Sequence, residues 1–213
     1  MLAGGPARAF ERAVELAGHP RVKDGDSLVF GKAEVRLEGI DAPEWGQRCR
    51  AEGRSYPCGK EAAQLLQHLI AGVIVRCRGT EFDRYDRLIA TCLANGRDIN
   101  REMVLRGQAL AFRRYSTSYV AEEARARAQG AGLWSSVFVA PWEYRARRWQ
   151  QAAATAPRPG CPIKGNINRR GERIYHTPYS RSYARTRIDP ARGERWFCSE
   201  AEALRLGWRA PRR

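Results

Sequence analysis

Six cysteines constrain this chain more than any other feature. They stand at positions 49, 58, 77, 92, 161 and 198 of 213 residues, an even count with spacings that suit three local pairs. Cys49 and Cys58 bracket a short loop containing Gly53 and Pro57. Cys77 and Cys92 lie on two apolar segments joined by a polar turn, so they can face each other across a hairpin. Cys161 and Cys198 sit near the two ends of the C-terminal segment. Each closed loop would stabilise the fold by roughly 2–4 kcal/mol through restriction of the unfolded chain. Six cysteines allow fifteen pairings, and buried free thiols are the alternative. Disulfides persist in oxidising compartments, which predicts a periplasmic or secreted protein. Export needs a signal peptide, yet the N-terminus has neither a basic nor an apolar leader region. Residues 5–9, Gly-Pro-Ala-Arg-Ala, carry small residues at the spacing of a signal-peptidase site. The expectation is a chain that begins inside or just after its signal peptide.

No apolar run approaches the ~20 residues of a membrane span. Lys and Arg total 38 against 23 Asp and Glu, a net charge of +15, which points to a polyanionic partner, nucleic acid first. The charge is uneven. Residues 1–150 hold 24 basic and 18 acidic residues, a net +6; residues 151–213 hold 14 and 5, a net +9. Only four of the cations are Lys. Arginine's planar fork suits phosphate.

Short apolar runs at Val14–Ala17, Leu28–Phe30 and Val35–Leu37, separated by turn signals such as Asp24-Gly25-Asp26, read as strands. Ala62, Ala63, Leu65, Leu66, Leu69 and Ile70 have helical spacing, with Gly72 as a C-terminal stop. Strands follow at 73–77 and 88–93, then an Asn95-Gly96 turn, a helix ending near Gly107, a strand at 109–112 and a helix at 119–128. Ala152 to Gly160 reads as a linker. The order predicts an α+β chain. An OB-like five-stranded barrel with packed helices spans 10–150, a linker 151–160 and a small α+β module 161–210.

Three polar clusters interrupt the apolar strands: Asp24-Gly25-Asp26-Ser27, residues 36–44 (Arg-Leu-Glu-Gly-Ile-Asp-Ala-Pro-Glu) and Asp83-Arg84-Tyr85-Asp86-Arg87. Hydrolysis of a phosphodiester requires the phosphate's charge to be neutralised. A hard divalent cation held by carboxylates such as Asp26 and Asp41 does this while orienting water. Arg36 and Arg87 can clamp phosphate oxygens, and Glu44 can orient or deprotonate the water. Each cluster alone is unspecific; their joint occurrence in this order is not.

Together with residues 100–109, the Tyr115/Tyr119/Glu122 stretch and Gly132-Leu133-Trp134, these strings closely resemble the thermonuclease, or staphylococcal-nuclease-like, family over roughly residues 14–145. The resemblance implies a calcium-dependent nuclease that cuts DNA and RNA and leaves 3′-phosphate ends. Asp26 and Asp41 match its calcium-binding carboxylates, and Ala42 the residue lending a backbone carbonyl. Arg36 and Arg87 match its phosphate-clamping arginines, and Glu44 the carboxylate assigned as general base. Asp24 matches the neighbouring acid, and Tyr85, Arg84 and Tyr115 fall where the nucleotide is contacted. The sequence departs from the family at Asp86, where Gly is frequent, at Ala42, where Thr is frequent, and in the inserted 49–58 loop.

The C-terminal segment resembles a small module found behind some bacterial nucleases, sometimes called a sunset domain. Ser199 and Glu202 have capping-box spacing for a last helix. Cys161 and Cys198 could staple this segment, or join His176 as zinc ligands. The interleaved aromatic and basic residues could track nucleic acid or form a solvated surface. His19 and His68 have no evident role. The sequence thus predicts a monomeric, calcium-dependent nuclease acting on DNA and RNA. The alternative is a non-catalytic nucleic-acid-binding protein on the same barrel.

Overall fold

The computed structural model describes residues 13–211. The small-residue stretch at 5–9 and the expected domain start at residue 10 lie outside the described residues. In chain order come strands β1 (Val14–Gly18), β2 (Arg21–Asp24), β3 (Ser27–Phe30), β4 (Ala33–Leu37) and β5 (Ile40–Asp41). The hairpin β6 (Cys49–Ala51) and β7 (Arg54–Tyr56) follows, then helix α1 (Cys58–Leu69), strands β8 (Val75–Phe82), β9 (Arg87–Ala94) and β10 (Arg97–Asp98), and helix α2 (Ile99–Leu105). Next are β11 (Leu110–Ala111), α3 (Val120–Ala128) and α4 (Pro141–Thr155). The chain closes with β12 (Ile163–Ile167), β13 (Arg173–His176), β14 (Arg195–Phe197) and α5 (Glu200–Arg205).

The main sheet has the hydrogen-bonded order β1-β8-β9-β4-β3-β2, with β10 added to β9. Its pairs are antiparallel except β4 with β9. β1 and β2 are its opposite edges, yet only His19 and Pro20 separate them. Three residue steps reach at most about 11 Å, so the sheet must curl until its edges approach. Counting β1 and β2 as one strand bent at Pro20, which lacks an N–H for the ladder, gives the five strands of the expected OB-like α+β fold.

Strand β8 alternates: Val75 and Cys77 are buried while Arg76 and Arg78 are exposed. This period of two is what a half-buried strand requires. Cys77 and Cys92 are register partners, both fully buried, and form a disulfide. The Asn95-Gly96 turn has positive φ at both residues, as this dipeptide favours. Leu28, Val35, Leu37, Leu88 and Met103 meet Leu66 of α1 in the core. The fully buried Asn100 pins α2 to the sheet: its Oδ1 accepts from the Cys92 N–H at 3.2 Å, and its Nδ2 donates to the Glu38 and Ala90 carbonyls at 3.0 and 3.1 Å.

The Cys49–Cys58 disulfide closes a genuine hairpin, β6–β7, at the entrance to α1. The segment expected as linker differs in one respect: α4 continues to Thr155, so only Ala156 to Gly160 is irregular. The run Ala152-Ala153-Ala154 has the highest helix propensity available, which outweighs its small-residue composition.

The third disulfide is Cys161–Cys198. It uses both sulfurs that the zinc alternative needed, and His176 Nε2 instead meets Asn166 Oδ1 at 2.9 Å. The three strands β13-β12-β14 and α5 bury their own small core of Ile163, Tyr175, Phe197, Ala203 and Trp208, with Trp149 of α4 packed against it. Ser199 caps α5, accepting from the Glu202 N–H at 3.1 Å; the Glu202 carboxylate returns to the Cys198 N–H at 2.7 Å, one residue before the expected partner.

Candidate active site

Asp26, Arg36, Asp41 and Glu44 meet where the turn after β2, strand β4 and the end of β5 come together. The placement is local in origin. The β3–β4 register sets Ser27 opposite Arg36, and the Leu37 N–H bonds to the Asp26 carbonyl at 2.8 Å. Arg36 therefore stands beside Asp26, and the tight turn after Leu37 brings Asp41 back to the same arginine. Arg36 Nη1 donates to Asp26 Oδ1 at 2.9 Å and Nη2 to Asp41 Oδ1 at 2.7 Å. Asp26 also accepts from the Ser27 hydroxyl at 3.0 Å and, through Oδ2, from the Ala42 N–H at 2.9 Å.

These carboxylates are buried, Asp41 completely. Burial penalises a charge unless partners offset it. Burial raises the Asp26 pKa, but Arg36 and the Ala42 N–H outweigh it and hold the group below its ordinary value. Burial likewise opposes the charge on Arg36, and Asp26 and Asp41 overcome it, so its pKa is raised. At Asp24 the balance goes the other way, because Arg36 and the Ser27 hydroxyl only partly compensate. Burial and the neighbouring Asp26 charge push it up to about 6.

Glu44 is pushed up to about 7 by burial, against the pull of Arg145. That value suits a group exchanging protons near neutrality. The loop carrying it is held tightly. Buried Gln47 accepts from the Glu44 N–H at 3.2 Å and donates to the Val139 carbonyl at 2.7 Å. Two glycines allow α1 to close on this region: a Cβ at Gly25 would stand 2.7 Å from the Ala42 Cβ, and one at Gly59 would collide with the Glu44 carbonyl.

Arg87, at the start of β9, lies at the rim. Its Nη2 and Nε reach Asp83 Oδ2 at 2.6 and 2.8 Å. Asp83 also accepts from the backbone N–H groups of Tyr85 and Arg87 at 2.9 and 3.1 Å, which orders the whole β8–β9 turn. Asp86 occupies the left-handed region there, at φ 60°. That conformation explains why glycine is favoured at this position, and Asp is among the residues that tolerate it. The extra carboxylate therefore leaves the turn intact.

The three nucleotide-contact candidates behave differently. The guanidiniums of Arg84 and Arg87 lie over the Tyr85 ring at 4.9 and 5.1 Å. The Tyr85 hydroxyl donates to Glu200 Oε1 of α5 at 2.6 Å, and burial and that carboxylate raise its pKa. Arg84 is largely exposed and 3.5 Å from the same carboxylate. Tyr115 is exposed on an aromatic cluster in which Phe112 stacks on Trp142 of α4.

Arg145 on α4 completes the cluster and had no sequence signal. Its Nη2 donates to Asp41 Oδ2 at 2.7 Å, and its Nη1 to Asp41 Oδ1 at 3.1 Å and Glu44 Oε1 at 2.9 Å. Burial opposes its charge, and Asp41 and Glu44 prevail, raising its pKa. Glu200 and Gln47 were likewise unmarked.

Among the described residues, no group of three or more His, Cys, Asp or Glu forms a ready metal cage. The donor chemistry nevertheless fits a hard cation: Asp26 and Asp41 are both within hydrogen-bonding distance of one guanidinium, and the depressed Asp26 supplies an ionised oxygen ligand.

Residues 34–136 match the protein family described as staphylococcal nuclease homologue. Over that segment the chain carries a staphylococcal nuclease domain. It is 36% identical over 126 residues to the succinoglycan biosynthesis protein ExoI of Rhizobium meliloti, covering 57% of this chain and 66% of that one. It is 33% identical over 122 residues to an uncharacterized endonuclease of Haemophilus influenzae, covering 54% and 64%. A probable staphylococcal-like nuclease, CAN2, of Oryza sativa subsp. japonica is 30% identical over 143 residues, covering 65% and 36%. In each case the match spans less than two thirds of the relative.

Proposed function

We propose that the chain is a calcium-dependent phosphodiesterase that hydrolyses DNA and RNA and leaves 3′-phosphate ends. The observation that carries this reading is the convergence of Asp26, Arg36, Asp41 and Glu44 in one buried cluster, with Arg87 at its rim. Binding a polyanion needs cations only; it gives no reason to bury acids facing them. Asp26 and Asp41, with the Ala42 carbonyl, are the residues that would hold the calcium. When bound, calcium supplies Lewis-acid neutralisation of the phosphate and orientation of water. Arg36 and Arg87 hold the phosphate oxygens and stabilise charge that grows as water attacks phosphorus. Glu44 takes the proton of that water. The bond from phosphorus to the 5′ oxygen then breaks, the 5′ oxygen gains a proton, and the phosphate remains on the 3′ side.

Three disulfides fit an oxidising compartment, and we place the protein in the periplasm or outside the cell. Among the described residues no helix is long and apolar enough to cross a membrane. We take it to act as a monomer, with residues 10–150 as the catalytic domain and 161–210 as a basic module behind it.

A second reading, a non-catalytic nucleic-acid-binding protein, draws on one observation: Arg145 already pairs with Asp41 and Glu44. Incubating the purified chain with linear DNA or RNA and calcium separates the two. Cleavage that stops with EDTA supports the nuclease; binding without cleavage supports the alternative.

A further inference from the structure

Arg145 stands outside the residues matched by the family, which end at 136, yet it reaches the centre of the site. Its two terminal nitrogens make three hydrogen bonds, of 2.7 to 3.1 Å, to both oxygens of Asp41 and to Glu44. Asp41 Oδ1 thereby accepts from two guanidiniums, Arg36 and Arg145. Arg145 is also not delivered by a loose segment. One turn before it, Trp142 stacks on Phe112 at 5.7 Å; one turn after it, Arg148 donates to the Pro178 carbonyl at 3.3 Å, and Trp149 packs on the C-terminal core. Pro141 starts the helix with a residue whose missing N–H costs nothing there. Helix α4 is thus anchored on both sides and aims one cation at two carboxylates.

We infer that Arg145 is the resident counter-cation of the metal-binding carboxylates, and that a divalent ion binds by displacing it from Asp41 and Glu44. This rests on the calcium reading above. Asp26, Asp41 and Glu44 carry at most three negative charges, and Arg36 and Arg145 already offset two of them; a divalent ion added without displacing Arg145 would leave this half-buried site with excess positive charge. An arginine that pairs while the metal is absent keeps Asp41 and Glu44 from facing each other as bare charges, and it lowers the affinity of whatever cation replaces it. Calcium concentration then sets the fraction of chains in which the site is open.

Calorimetric titration of the full chain with calcium, without nucleic acid, tests this. Arg145→Gln removes the charge and keeps a hydrogen-bonding side chain; its calcium Kd tightens by at least about tenfold, while Arg145→Lys stays near the unaltered protein. In the unaltered protein, nitrogen NMR signals of the Arg145 guanidinium shift as calcium saturates the site. That second readout does not depend on the variants folding. Equal or weaker calcium binding by Arg145→Gln, or unmoved Arg145 signals at saturation, overturns the inference while leaving calcium-dependent cleavage intact. Absence of calcium binding in every form overturns it together with the calcium reading.

Discussion

Replacing Cys161 and Cys198 by alanine is expected to loosen the C-terminal unit while sparing the barrel. The two cysteines are 37 residues apart. A loop of that length removes about 13 cal/mol/K from the unfolded chain, or about 3.8 kcal/mol at 25 °C. The core it supports has five buried residues, Ile163, Tyr175, Phe197, Ala203 and Trp208, and cores this small supply only about 3–5 kcal/mol. The staple therefore contributes about as much as the core it closes. The assay is amide hydrogen exchange, which reads local opening separately from global unfolding. Exchange at Gly165 and Tyr175, paired between β12 and β13, should accelerate by nearly three orders of magnitude. Exchange at Cys77 and Ala94, in β8 and β9, should stay unchanged. Equal acceleration in both sheets, or none in β12 and β13, would refute the idea that the unit has its own stapled core.

Three further expectations concern the site. In EDTA, Glu44 titrates near 7 folded against 4.5 for an unperturbed group, so the folded chain binds its proton more tightly; its contribution is complete below pH 4.5 and lost as pH rises through 7. Glu44→Gln should accordingly gain stability relative to the unaltered chain across that window, and parallel urea-melt curves would refute this. Gly59→Ala should push the Glu44 carbonyl aside, lowering kcat with little change in nucleic-acid affinity; unchanged kcat counts against a positioned Glu44. Tyr85→Phe and Glu200→Ala each remove a hydrogen bond between barrel and module. They should give matching shifts in KM for oligonucleotides, and independent, additive shifts would show the two side chains do not act as a pair.

What was legible in the sequence was local. Asp26 sits in the turn before β3, Arg36 on β4 and Asp41 on β5, consecutive strands joined by tight turns, so a short string holds both the residues and the geometry that unites them. The Cys77–Cys92 pair was legible for the same reason: alternation placed both sulfurs on the inner face of one hairpin. Arg145 was not, because it reaches Asp41 across 104 positions from a helix whose polar face carries several equivalent arginines. Glu200 is 115 positions from Tyr85, and nothing in the residues around it signals that partner. The β6–β7 hairpin has three-residue strands without apolar alternation, which leaves no periodic signal. The parallel pairing of β4 with β9 likewise depends on how distant segments pack.

The central claim is that Arg36 and Glu44 perform phosphodiester hydrolysis at one calcium site. The most direct measurement is the cleavage rate of a single labelled oligonucleotide, at saturating calcium, by the unaltered chain and by Arg36→Lys and Glu44→Gln, with binding measured in parallel. Loss of one oriented donor costs about 10²–10³ in kcat, and loss of a positioned general base about 10²–10⁴. The account predicts losses of that size in both variants, 3′-phosphate products from the unaltered chain, and oligonucleotide affinity within a few-fold. Cleavage by either variant at the unaltered rate would contradict it.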